Sequence, residues 1–242
     1  MAERAPRPGR ETAPDGGILS RSLIRELVFG INDGTVSTIG LVSGEALSRQ
    51  SHAAIIIAAL SAAGAATISM AVGSYLASSS ANDLLRSQIE EEREEIETRP
   101  EQERREVRDL LGEMGMPPRL IPEVQRHIVG NKAHWIRFMV REELGIHHRH
   151  LERPLVNAVA MGIAVILGSI PATLPFLLPL PTLAARNLAW GLALASSFLL
   201  GFAKARFTRG RGWLSGLEFM ALTALSATVG AAIGFLVGRT EA

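Results

Sequence analysis

The sequence predicts an all-α integral membrane protein in which five transmembrane helices carry a three-helix cytoplasmic insertion between the second and the third. Two observations lead there. Residues 53–82 and 154–185 hold no charged side chain, and these runs of 30 and 32 residues exceed the roughly 20 that a helix needs to cross a bilayer. Of the 24 acidic residues, 16 fall between Asp83 and Glu152, so a net charge of +1 conceals a sharp division into apolar and polar blocks. A simple soluble globule is excluded.

Taken in order, residues 1–20 are rich in Arg, Pro and Gly and lack the apolar stretch of a cleaved signal peptide, so they read as a disordered cytoplasmic tail. Residues 21–80 hold spans one (23–47) and two (53–80), and residues 154–242 hold spans three (155–178), four (183–203) and five (213–237). Proline disrupts helices, so span three should kink or end near Pro171 or Pro175. Cytoplasmic loops are enriched in Lys and Arg. Arg4, Arg7, Arg10, Arg21 and Arg25 precede span one, and Lys204, Arg206, Arg209 and Arg211 join spans four and five; the opposite side holds only Arg49 and Arg186. This places the N-terminus and residues 81–153 in the cytoplasm. That insertion is dense in Glu, Arg, Gln and Leu, which are good helix formers. Breaks at Pro100 and at Gly115-Met116-Pro117-Pro118 divide it into helices over 82–97, 101–113 and 119–144, the first continuous with span two.

The candidate residues follow from where charge is costly. Asp33 lies about ten residues into span one, where an ionisable group must face a bundle interior, a partner or water; it is a functional candidate unless it merely seals a helix pair with a hydrogen bond. Glu26, seven residues earlier, lies two turns or roughly 10 Å away on the same face, and equally suits an interfacial carboxylate reaching headgroup water. Glu45, near the outer end, reaches water cheaply or serves as an exit-side ligand. In span two, Thr67, Met70, Ser74 and Ser78 share a face. Met is ordinarily core filling, but a thioether beside a carboxylate suits a borderline first-row metal better than calcium or magnesium. The repeats Gly30/Gly34, Gly40/Gly44 and Gly230/Gly234/Gly238 are signals of close helix packing.

In the insertion, Glu92/Glu95 and Glu103/Glu106 are Glu-x-x-Glu pairs on successive helices, each with both carboxylates on one face. Facing each other they offer four oxygen ligands; interleaved with Arg93, Arg104 and Arg105 they also read as a solvated, ion-paired face. Met139, Glu142 and Glu143 on the third helix are positioned to complete a site. Five of the six His lie in the insertion. His147, His148 and His150 form either a metal-capturing cluster or a turn that binds nothing.

These pieces together resemble the vacuolar iron transporter family of iron/manganese transporters and nodulin-like proteins, and specifically a bacterial member. They are Arg25-Glu26-Leu27-Val28-Phe29-Gly30-Ile31-Asn32-Asp33-Gly34, Gly64-Ala65-Ala66-Thr67-Ile68-Ser69-Met70-Ala71-Val72-Gly73-Ser74-Tyr75-Leu76, the Glu-rich insertion, and Glu142-Glu143-Leu144-Gly145. The resemblance spans about residues 22–240. It implies a dimeric, proton-coupled antiporter that moves Fe2+, and often Mn2+, out of the cytosol. It assigns Asp33 and Met70 to an intramembrane metal site, Glu26 to the cytoplasmic end of the pathway, and Glu92, Glu95, Glu103, Glu106, Met139 and Glu143 to a cytoplasmic metal-binding domain. The chain departs from relatives at Ala62 and Val140, where plant members carry a membrane acid and a second methionine, and at Ser74, where many bacterial relatives show Glu.

Other classes are less well served. The chain has no Cys, hence no disulfide, thiolate nucleophile or zinc-thiolate site. It shows no Walker loop, His-Glu-x-x-His, nucleophile elbow or dinucleotide fingerprint, so an enzyme is not expected. No basic patch points to nucleic acid. No resident cofactor is expected beyond the transported or bound ion, Fe2+ or alternatively Mn2+, Zn2+ or Co2+. Expected partners are metal ions, protons, lipid and a second copy of the chain. The short polar N-terminus suggests a bacterial plasma membrane. The competing reading is a membrane-anchored metal sensor or scaffold that binds metal without moving it.

Overall fold

The structure, a computed structural model, describes residues 16–48, 50–144, 151–208 and 210–240, and among these every element is helical. In order they are α1 (Gly16–Leu47), α2 (His52–Thr98), α3 (Pro100–Glu113), α4 (Ile121–Val129), α5 (Lys132–Glu142), α6 (Pro154–Thr173) with a 3₁₀ turn over Leu174–Leu177, α7 (Thr182–Thr208) and α8 (Gly212–Thr240). Helix α1 begins inside the stretch expected to be a disordered tail; residues 1–15 and the His147, His148, His150 cluster lie outside the described residues. Pro171 sits within α6, and the helix stops at Thr173 just before Pro175.

Among the described residues, four helices are long and apolar enough to cross a membrane, α2, α6 with its 3₁₀ turn, α7 and α8. Helix α1 is long enough at 32 residues, but Asn32, Asp33 and its many Gly, Ser and Thr dilute its apolar character. It is nevertheless central, packed along α6 and α8. The chain divides into two compact units, Met1–Leu76 with Pro154–Ala242, and Ala77–Arg153.

In the first unit, small residues bring backbones into contact. A Cβ on Gly34 would lie 2.3 Å from the Val165 carbonyl oxygen of α6, and one on Gly230 of α8 would lie 1.9 Å from the Gly40 carbonyl oxygen of α1. Hydroxyls and an indole then tie the helices together where water is excluded. Thr35 donates to the Gly168 carbonyl (2.8 Å), Ser226 to the Val36 carbonyl (2.7 Å) and Trp190 Nε1 to Ser43 Oγ (2.8 Å). Because the clash at Gly230 is with backbone, Gly230→Ala should force α1 and α8 apart and cost about 1–3 kcal/mol. A lower melting temperature in detergent is the expected result.

The second unit has its own core of Ile96, Val107, Leu111, Trp135 and Met139. It departs from expectation in one element: the helix read over 119–144 is two helices, α4 and α5, divided at Gly130-Asn131. Asn131 is a true N-cap, its Oδ1 accepting from Ala133 N (2.9 Å) and His134 N (3.1 Å), and such a side chain competes with continuation of the preceding helix. The ends of the unit are clipped together by a reciprocal pair, Glu152 N donating to Asn82 Oδ1 (2.8 Å) and Asn82 Nδ2 to the Glu152 carbonyl (3.0 Å).

Candidate metal centre

Each of three helices in the second unit carries a buried stripe that runs from apolar residues to a carboxylate. On α2 it is Ile96 then Glu92; on α3 Leu111, Val107, Glu103; on α5 Trp135 and Met139, with Glu143 as the C-cap. Spacings of four keep each stripe on one face. Packing the apolar parts together therefore brings the carboxylates together: oxygens of Glu92, Glu103 and Glu143 all lie within 4.8 Å of one another. Glu92 is 2% exposed and Glu103 1%, whereas Glu143 is open to solvent.

Three carboxylates this close, two of them buried, are unfavourable as a bare anionic set. Burial foremost, then the charges of Glu143 and Glu103, pushes the Glu92 carboxyl up to about 8. Burial, then the charges of Glu106, Glu95 and Glu143, pushes Glu103 up to about 7. Glu143 is raised by burial and by the charge of Glu106. Glu92 Oε1 and Glu103 Oε2 are buried and accept no hydrogen bond. Buried oxygens left without a donor fit a cation that would supply the missing positive charge.

The remaining sequence candidates fall into three groups. Glu95 and Glu106 border the cluster and act on it through charge, but each has an outside partner, Arg99 Nη1 at 3.4 Å and Gln102 Nε2 at 3.2 Å respectively. Met139 is fully buried within the apolar core of this unit. Glu142 is occupied by Arg141 at 3.0 Å. In the first unit, Glu26 is 5% exposed and held from two sides, by Arg25 Nη2 (2.9 Å) and by Ser74 Oγ of α2, which donates to it (3.0 Å). Ser74 thus acts as a hydrogen-bond donor to Glu26. Asp33 and Met70 are half-buried on α1 and α2, and neither joins the metal-capable group assembled among the described residues. Glu45 is half-buried near the end of α1.

Two residues were missed. Asn32 Oδ1, beside Asp33, is buried and accepts nothing, and Trp135 Nε1 is buried without an acceptor. The adjacent polar pair Asn32-Asp33 in an apolar run was the available signal for the first; nothing in the sequence marks the second.

The sequence profile of the VIT family matches residues 24–235. Vacuolar iron transporter 2 of Oryza sativa subsp. japonica is 30% identical over 206 residues, covering 84% of this chain and 83% of its own. Vacuolar iron transporter 1 of Arabidopsis thaliana is 29% identical over 217 residues, covering 90% and 85%. A vacuolar iron transporter of Acanthamoeba castellanii is 34% identical over 149 residues, covering 61% and 53%. These relatives are plant and protist proteins with vacuolar names, and they lend no support to a bacterial plasma membrane. A profile match across nearly the whole helical region, with relatives aligned over more than four-fifths of both chains, shows that this multi-pass membrane protein belongs to the VIT family, a family of transporters and not of enzymes.

Proposed function

We propose that the chain carries iron across a membrane as a proton-coupled divalent metal antiporter, with Fe2+ and Mn2+ as substrates, working as a homodimer. The relatives named as iron transporters support iron as the cargo. The observation that carries the mechanism is the triad of Glu92, Glu103 and Glu143: the two buried members, Glu92 and Glu103, hold protons near neutral pH and would exchange them for a cation. Carboxylates suit such exchange because metal and proton compete for the same lone pairs. Glu95, Glu106 and Met139 complete this cytoplasmic gathering site. Helix α1 serves as a fifth span, and along it Glu26 and Asp33, with Met70 of α2, form the route through the bilayer.

Fe2+ flux into proteoliposomes against an opposing pH gradient tests this reading. Metal entry with counterflow of protons is expected. Metal binding without flux of Fe2+ or Mn2+ would favour a sensor, a reading supported by the fact that the triad is complete within one unit. A second expectation concerns protons alone. Glu92 at about 8 is mostly protonated at pH 7 and Glu103 at about 7 is half protonated, so capture of one cation at pH 7 should release about one to two protons. Calorimetric titration with Mn2+ in buffers of different ionisation enthalpy checks this, and the release should shrink toward zero above about pH 9.

A further inference from the structure

Outside the carboxylate triad, two imidazoles face each other across the α4–α5 turn. His127 lies in the last turn of α4 and His134 in the first turn of α5, with ring centroids 6.2 Å apart and planes inclined by 38°. A cation bound by two imidazole nitrogens at their usual bond lengths places the centroids roughly 5 to 6.4 Å apart, depending on the angle at the metal. The observed spacing lies at the wide-angle end of that interval, so the two rings must draw slightly closer for both nitrogens to reach one ion in a tetrahedral or square-planar shell. The backbone is already set for it. Asn131 Oδ1 holds the amide of His134, and the chain reverses within Gly130-Asn131. Charge nearby is partly offset, since Lys132 is ion-paired with Glu97.

We propose that His127 and His134 form a second metal site, selective for borderline divalent cations such as Cu2+ and Zn2+. Imidazole donors favour these ions over Mn2+, which prefers oxygen, and the order of divalent affinities rises toward copper. The two sites of this unit therefore divide the first-row metals by donor type: three carboxylates for the harder ions, a nitrogen pair for the softer. Occupancy of the pair ties the end of α4 to the start of α5, the helix that carries Met139 and ends at Glu143.

The test uses the full chain in detergent with His147, His148 and His150 replaced by Ala, and Cu2+ as the probe. Electron paramagnetic resonance should show coupling to two nitrogens, and hydrogen exchange should slow over residues 127–134. His127→Ala and His134→Ala should each abolish the two-nitrogen signal and weaken Cu2+ binding at least about tenfold. Unchanged Mn2+ binding in these variants shows that the unit is folded and that the carboxylate triad is independent of the pair. A two-nitrogen signal that survives in the double variant, or Cu2+ binding only at millimolar concentration, would overturn the proposal.

Discussion

Asp33→Asn should abolish metal flux while leaving metal capture by Glu92, Glu103 and Glu143 intact. Asparagine has nearly the shape of aspartate, so α1 should keep its packing on α6 and α8. What is lost is the one property that the pathway reading requires at this depth, a group that trades a proton for a cation. Removing even an outer-shell partner of a metal ligand costs about 10–100-fold in affinity or activity, so loss of a direct ligand should lower the rate by about 100-fold or more. The surroundings of Asp33 fit a polar route better than a seal, because the neighbouring Asn32 Oδ1 is buried without a donor. A helix pair sealed by hydrogen bonds would have satisfied it. The measurement is Fe2+ uptake by proteoliposomes beside Mn2+ titration of the same preparation. Full flux in Asp33→Asn would remove Asp33 from the pathway, whereas unchanged binding with lost flux separates the gathering site from the route.

That separation was partly legible in the sequence, and the limits are instructive. Apolar length announced α2, α6, α7 and α8, and the breakers Pro100 and Gly115-Met116-Pro117-Pro118 stand where α2, α3 and α4 are divided. The break at Gly130-Asn131 was missed, although Asn before a helical run is itself a start signal. At the metal centre the Glu-x-x-Glu pairs were visible, but not that each pair would split. Residues three apart on a helix differ by 60° around its axis, so only one member can lie in line with an apolar stripe. Glu92 precedes Ile96 by four and Glu103 precedes Val107 by four, and those two are buried; Glu95 and Glu106 fall to the side and find Arg99 and Gln102. Reading the residue four positions on would have set Glu95, followed by Arg99, apart from Glu92 and Glu103, but not Glu106, which is followed by Leu110. Glu143 was a candidate together with Glu142, and its place four residues after the buried Met139 is the same kind of signal, which sets it apart from Glu142.

The splitting of the pairs leads to the second large effect, in the metal-free protein. Glu92 and Glu103 hold protons in the folded unit well above the pH at which the unfolded chain, with an ordinary carboxyl near 4.5, releases them. The folded state therefore binds more protons between about pH 5 and 8, and its stability must fall as pH rises through that window. Metal-free protein should melt highest near pH 5 and lower steadily toward pH 8.5. Saturating Mn2+ should reverse the trend, because the cation replaces the protons and binds more tightly as they leave. Glu103→Gln separates the two contributions. A neutral amide of the same shape removes one charge from the buried set, so the metal-free variant should lose part of the decline and melt at least about 2 °C above the wild type at pH 8. The same change deletes a ligand and should weaken Mn2+ binding by about 10–100-fold. Thermal melts followed by tryptophan fluorescence, with and without Mn2+ at pH 5, 7 and 8.5, check both. A variant destabilised equally at every pH would mean that Glu103 is a structural residue and not a strained ligand. Stability gained without metal and affinity lost with it would mean that the fold holds this carboxylate in place for the ion.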